Sequence, residues 1–228
     1  MAVWFIKMIQ KHGPHKVEVL GRTYEISEHV FNPKYYYTSR FMAEHINVTP
    51  DDVVLDMGTG SGIQAVTAAG KASKVIAVDI NPEAVRLARK NVRANGAADV
   101  VSVMEGDLFT SLDVDRKFSV ILFTPPYLEG RPVTGFDHAL FDPDKILIRR
   151  FFTEAGQYLG PDGYVQMLYS SIAGHEHALR VSEQFGWDRS LIARGKTFTE
   201  TFFIFKMTRQ HKKGDRQYHE DRDNIGLA

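Results

Sequence analysis

The sequence predicts an α/β protein built on a doubly wound, mostly parallel seven-stranded sheet with an antiparallel edge strand. Three observations carry that expectation. Short apolar runs such as "VVLDM", "KVIAVD" and "FSVILF" alternate with stretches of helical periodicity through the middle of the chain. Glycine or proline marks several of the junctions between them. The last two apolar runs are separated by a short loop, which pairs them antiparallel at one edge.

The elements follow in order. Residues 1–12 read as a short amphipathic helix with Trp4, Phe5, Met8 and Ile9 on one side. "KVEVLGRTYEIS" alternates apolar and polar residues around Leu20-Gly21 and reads as a β-hairpin. The chain turns at Asn32-Pro33 and enters a helix over 37–46. A strand at 53–57 passes through a glycine-rich turn into a helix at 62–70, and a strand at 74–79 follows. Pro82 sits where a first helical turn tolerates it, and Gly96 stops that helix. Strands over 99–106 and 118–126, a helix over 144–158, a strand over 164–169 and a helix over 175–185 continue the pattern. Strands near 188–194 and 199–207 close it. Trp187, Phe198, Phe202, Phe203 and Phe205 read as core.

Bulk composition limits the function classes. The 228 residues are 43% hydrophobic and 25% charged, as in an ordinary globular protein. Lys+Arg and Asp+Glu both total 28, so no net charge draws the chain to nucleic acid or membranes. The absence of cysteine excludes disulfides, thiolate zinc sites and cysteine nucleophiles. Lys7 and Lys11 interrupt the apolar N-terminus, which does not read as a signal peptide, and no run approaches a membrane span. A cytoplasmic location is expected. No metal site is expected either, because His175 and His177 are spaced i, i+2 and point apart. The polar tail, 208–228, carries Arg209, Lys212, Lys213 and Arg216 and reads as a solvated extension.

Chemistry concentrates at strand ends. "VVLDMGTGSGIQ" puts Asp56 near the end of its strand and glycines at 58, 60 and 62. Such a turn lets a ligand approach the main chain and points a helix N-terminus at it. The spacing is not the Gly-x-Gly-x-x-Gly of dinucleotide sites, and an acid before the first glycine would repel a pyrophosphate. A cationic amino acid group suits Asp56 instead. Asp79, ending "AVD", can accept from both ribose hydroxyls, and Asp107, in "EGDLF", can accept from an adenine amine. Three acids at the carboxyl ends of three successive strands point to a nucleoside-type ligand without phosphate.

"VLDMGTGSGIQAV", "VDINPEAV", "NVRANG" and "GDLF" resemble class I methyltransferases that use S-adenosylmethionine, over roughly residues 30–207. The resemblance implies their Rossmann-like fold. It also implies that Asp56, Gly58, Thr59 and Gly60 line the methionine part of the cofactor. Asp79, Ile80 and Asn81 would hold the ribose, and Asp107 and Leu108 would flank the adenine. Within that group "FTPPY" is similar to the Asn/Asp-Pro-Pro-Tyr turn of HemK-like, small-domain methyltransferases, with Thr124 in the first position. In that pattern Thr124, Pro125, Pro126 and Tyr127 hold the methyl acceptor, with Thr124 also beside the cofactor. Thr38, in the segment after Asn32-Pro33, becomes a further cofactor neighbour.

A hydroxyl is shorter than an amide and carries one donor. The acceptor atom therefore stays open between nitrogen and oxygen, and the acceptor between protein, RNA or DNA and a small molecule. A non-catalytic cofactor-binding module and a nicotinamide-dependent oxidoreductase are the rival classes. The domain reading is an N-terminal helix and hairpin extension over 1–48 that contributes to the pocket, a methyltransferase domain over 49–207, and the tail. The loop over 131–145 overhangs the same sheet edge, with Asp137 and His138 as a candidate base pair. Tyr35, Tyr36 and Tyr37 either wall the pocket or pack the extension.

Overall fold

The computed structural model describes residues 3–173 and 175–210. The trailing basic cluster beyond Arg209 and the side chains of Trp4, Phe5 and His175 lie outside the described residues.

The chain begins with helix α1 (Val3–His12) and a hairpin of β1 (Lys16–Val19) and β2 (Arg22–Glu25). Leu20 and Gly21 both take positive φ at its tip. Helix α2 (Tyr37–Glu44) leads into the main sheet. There β3 (Val53–Met57), α3 (Ile63–Ala69), β4 (Lys74–Asp79), α4 (Pro82–Ala94), β5 (Val101–Glu105) and β6 (Phe118–Phe123) alternate. Helix α5 (Ile146–Glu154), β7 (Leu159–Ser170), α6 (His175–Gln184), β8 (Trp187–Lys196) and β9 (Thr201–Arg209) complete it.

The seven strands run in the order β5-β4-β3-β6-β7-β9-β8. The pairs among β3 to β7 are parallel, and β9 is antiparallel to both β7 and β8. The two closing strands thus pair antiparallel at one edge, but the later one inserts inward. Composition explains the order. Phe202, Ile204, Phe205 and Met207 of β9 are buried, whereas most of β8 is exposed. The apolar strand takes the two-sided position and the polar one takes the edge.

Alternation along each strand feeds two cores. Val54, Val75, Val120 and Leu122 pack with Phe41, Met42, Ile63 and Val92 from α2, α3 and α4. Leu55, Ile76, Ile121 and Phe123 pack with Phe151, Phe152 and Val181 from α5 and α6. Trp187 is fully buried there and its indole N–H donates to the Phe152 carbonyl at 3.1 Å. Phe202 and Phe205 are core as expected, and Phe203 packs partly buried beside them. Phe198 is the exception. It stands fully exposed between β8 and β9, because the aromatic pattern of the segment continues past the strand end into the connection.

Candidate active site

The turns after β3, β4, β5 and β6 meet at the carboxyl edge of the sheet around one cavity of about 880 Å³. Gly58 and Gly60 line it with φ of 72° and 56°, a region costly for residues bearing a Cβ. A Cβ on either would meet nothing within 4 Å, so both glycines leave open space. Gly62 has a different role. Its missing Cβ would lie 3.3 Å from Ala88 Cα, so it lets α3 and α4 pack closely.

Asp56 does not line this cavity. It is buried behind the turn, where Oδ2 accepts from the Thr59 hydroxyl at 2.6 Å and the Ala65 N–H at 3.0 Å. Burial pushes its carboxyl up to about 7, against the pull of those two donors. The acid expected to face the ligand thus ties the turn to the start of α3. The sequence placed it at the right strand end but gave no sign that the next residues fold over it.

Asp79 does reach the cavity. Its Oδ2 accepts the Gly60 N–H at 2.8 Å and its Oδ1 accepts the Asn81 N–H at 2.9 Å. Each carboxylate oxygen retains a lone pair. Burial raises its proton affinity. Asn81 caps α4 by accepting from the Glu83 N–H at 3.0 Å, and its amide donates to the His29 carbonyl at 2.9 Å. Ile80 presents an exposed apolar face beside it. After β5, Asp107 and Leu108 both line the wall, Leu108 with φ of 51°. Asp107 is already paired with Arg150 at 2.9 Å, a partner from α5 that the sequence did not suggest.

Thr124, Pro125, Pro126 and Tyr127 line the other half of the same cavity, and Thr38 lines it from α2. The Thr124 hydroxyl is buried and has no hydrogen-bond partner among the described residues. The Tyr127 ring lies 5.8 Å from that of Tyr169, and burial raises its phenol well above the ordinary value. Glu200, from the β8–β9 connection, also lines the wall and was not singled out by the sequence. Of the three consecutive tyrosines, Tyr36 lines the cavity, its ring tilted 37° against that of Phe31 with centroids 3.8 Å apart. Tyr37 packs on Phe41 and Phe202, and Tyr35 is exposed.

The segment between β6 and α5 roofs the cavity. Leu128 and Phe141 pair as an isolated bridge, Leu128 N–H donates to the Leu140 carbonyl at 2.9 Å, and Lys145 pairs with Glu129. Buried Asp142 accepts from the N–H groups of Leu147 and Ile148 at 2.7 and 3.2 Å, fixing the start of α5. His138 lines the cavity, but Asp137 is not its partner. Asp137 is buried, accepts from the N–H groups of Val133 and Thr134, and pairs with Lys7 of α1 at 2.5 Å. The sequence neighbours face different ways, which removes the expected base pair. Among the described residues no cluster of His, Asp or Glu could hold a metal ion, and no helix is long and apolar enough to cross a membrane.

A doubly wound α/β sheet with a two-part cavity at its carboxyl edge defines the class: this is a methyltransferase fold. The chain belongs to the methyltransferase small domain family, whose model matches residues 30–199. A Methanocaldococcus jannaschii protein named as a candidate protein N5-glutamine methyltransferase is 32% identical over 200 residues, covering 85% of this chain and 98% of the relative. A release factor glutamine methyltransferase of Rhodopirellula baltica is 36% identical over 116 residues, covering 50% of this chain and 36% of its own length. The chain therefore spans about a third of that bacterial relative. Among solved structures, Methanocaldococcus jannaschii Trm5 in complex with adenosine superposes with a TM-score of 0.62 at 18% identity, covering 88% of this chain and 58% of that one. At that identity the likeness concerns the fold. The enzyme is a methyltransferase, and its relatives include HemK-like protein-glutamine methyltransferases.

Proposed function

We propose that this methyltransferase takes its methyl group from S-adenosylmethionine and delivers it to a side-chain nitrogen of a protein. One observation carries the reading: the glycine turn with Asp79 and the Thr124–Tyr127 turn wall a single continuous cavity. When bound, the cofactor supplies an electrophilic methyl group on a sulfonium sulfur.

The residues present fit that ligand. The empty space over Gly58 and Gly60 accommodates its amino acid end, and Thr59 and Thr38 stand beside it. Asp79 has lone pairs for two ribose hydroxyls, with Asn81 fixing the loop behind it. Ile80 and Leu108 offer apolar faces to a purine, with Asp107 at its edge. Asp56 then acts indirectly, by holding the turn in shape.

On the acceptor side, Pro125 and Pro126 fix the backbone and aim its carbonyls without N–H groups of their own. Tyr127 supplies a flat wall against a planar group. Positioning provides most of the catalysis in such a displacement. Residues 1–48 act as an extension that completes the pocket, a division supported by Ile6, Phe31, Tyr36 and Thr38 on its wall. The protein acceptor is supported by the relatives named as protein-glutamine methyltransferases, and the balanced net charge gives no overall bias toward nucleic acid.

Two measurements test this. Calorimetry should show binding of S-adenosylmethionine and none of NADH. Tritiated S-adenosylmethionine, incubated with separated protein, RNA and metabolite fractions, should label the protein fraction. No affinity for the cofactor sinks the donor assignment, and label confined to RNA or metabolites sinks the acceptor assignment.

A further inference from the structure

We propose that Glu200 contacts the methyl acceptor directly, taking one hydrogen of an NH2 group while the Thr124 hydroxyl takes the other. The inference rests on the function proposed above and adds to it a residue and a rule of selection.

Two polar groups with unused hydrogen-bonding capacity line the acceptor half of the cavity. The Thr124 hydroxyl is buried and lacks a partner among the described residues, which is costly unless something else fills that role. Glu200 is half-buried and lines the same wall. Its Oε1 accepts the hydroxyl of Ser170, itself fully buried at the end of β7. Ser170 also accepts the Ile172 N–H at 3.2 Å, so the serine is fixed and in turn fixes Glu200. Among the described residues, Oε2 has no hydrogen-bond partner and no cation pairs with the carboxylate.

The location follows from the sheet. β6 and β7 are neighbours, so the Thr124–Tyr127 turn and Ser170 emerge side by side. Tyr127 and Tyr169 keep their rings within 5.8 Å across that gap. The β8–β9 connection brings Glu200 to the wall of the same cavity, where its charge adds to burial in raising the Tyr127 phenol. Burial raises the Glu200 carboxyl, against the pull of the Ser170 hydroxyl.

The chemistry is that of a divided clamp. An amide side chain at position 124 would carry its one acceptor oxygen further toward an acceptor nitrogen than the threonine hydroxyl does. The Glu200 carboxylate, on the wall of the same cavity, adds a second acceptor oxygen. Two such oxygens match a group with two hydrogens, a primary amide or amine. A hydroxyl acceptor brings one hydrogen and leaves one wall oxygen dehydrated, which selects against it.

The test uses the full chain, tritiated S-adenosylmethionine and the protein fraction as methyl acceptor. Glu200→Ala should lower the labelling rate by about 30-fold or more, in line with loss of a positioned polar contact. Glu200→Gln keeps one oxygen acceptor and should recover about a third of wild-type rate. Adding Thr124→Asn to Glu200→Ala should recover about tenfold by restoring the long arm of the clamp. Affinity for S-adenosylhomocysteine by calorimetry should stay within about twofold in Glu200→Ala and Glu200→Gln, since the cofactor half is untouched in them. The proposal is overturned if Glu200→Ala labels within about threefold of wild type, or if neither Glu200→Gln nor Thr124→Asn recovers activity in a variant that still binds S-adenosylhomocysteine. Failure of the wild-type chain to bind S-adenosylmethionine counts instead against the function itself.

Discussion

The Lys7 ammonium lies 2.5 Å from the buried Asp137 carboxylate, joining helix α1 to the loop that roofs the cavity. Asp137 keeps two backbone donors without Lys7, so the loop stays folded when the pair is broken. Lys7→Ala should therefore loosen the roof rather than unfold the chain. A half-exposed pair is worth up to about 1 kcal/mol, or about fivefold in affinity. The expected result is a cofactor dissociation constant raised two- to fivefold, roughly, with faster hydrogen exchange over residues 131–142. Unchanged exchange in that loop would show that α1 does not restrain it.

Burial raises Asp56 from 3.8 to about 7, so the folded state favours its neutral form. The stability this gives is complete below about pH 4 and is lost as pH rises through 7. Asp56→Asn is neutral throughout and keeps an oxygen for Thr59 and Ala65. Its stability relative to wild type should rise between pH 4 and 7, by at most about 1.4 kcal/mol per pH unit, and then level off. Denaturant melts across that range measure it. A flat difference would mean that Asp56 stays ionised in the fold.

The buried Thr124 hydroxyl has no hydrogen-bond partner among the described residues. Thr124→Val keeps the shape and removes the orphaned group, so stability should hold or rise by about 1 kcal/mol. Methyl transfer should nevertheless fall about tenfold, because the hydroxyl is needed once acceptor arrives. A clear loss of melting temperature with full activity would falsify this assignment.

Gly60 and Gly62 should respond oppositely to the same methyl group. At Gly62 an added Cβ meets Ala88 and a φ of 85°, so Gly62→Ala should cost about 2–4 kcal/mol in unfolding free energy. At Gly60 it meets nothing, so only the φ of 56° matters and the stability cost should be about 1–2 kcal/mol. That methyl points into open space, however, and should weaken S-adenosylmethionine binding about tenfold or more. Calorimetry and thermal melts on the pair distinguish the two, and the reverse ranking would reassign both glycines.

Local chemistry was the legible part of the sequence. Alternating apolar runs marked the strands, Pro82 marked the start of α4, and Gly58, Gly60, Asp79 and the Thr124–Tyr127 turn were visible as strand-end features. What escaped depended on contacts between distant segments. Glu200 reaches the cavity only because β9 slots between β7 and β8. Asp137 turns from its neighbour His138 because Lys7 arrives from the first helix. Asp56 sits under its turn because Thr59 and Ala65 fold back on it. Phe198 looked like core because a run of aromatic residues does not announce where a strand stops. The one signal that could have found Glu200 is an acidic residue directly before the apolar strand that closes the sheet.

The insertion of β9 has a consequence for how the enzyme comes into being. Among the described strands β8 pairs with β9 alone, so it cannot join the sheet until residues 201–209 have left the ribosome. The strands that carry the glycine turn and Asp79 can assemble well before that. A growing chain can thus form the glycine turn, Asp79 and the Thr124–Tyr127 turn first, and it gains Glu200 only once β9 has joined β7. Synthesis therefore orders the cavity wall in time, with the Glu200 side added after the parallel strands.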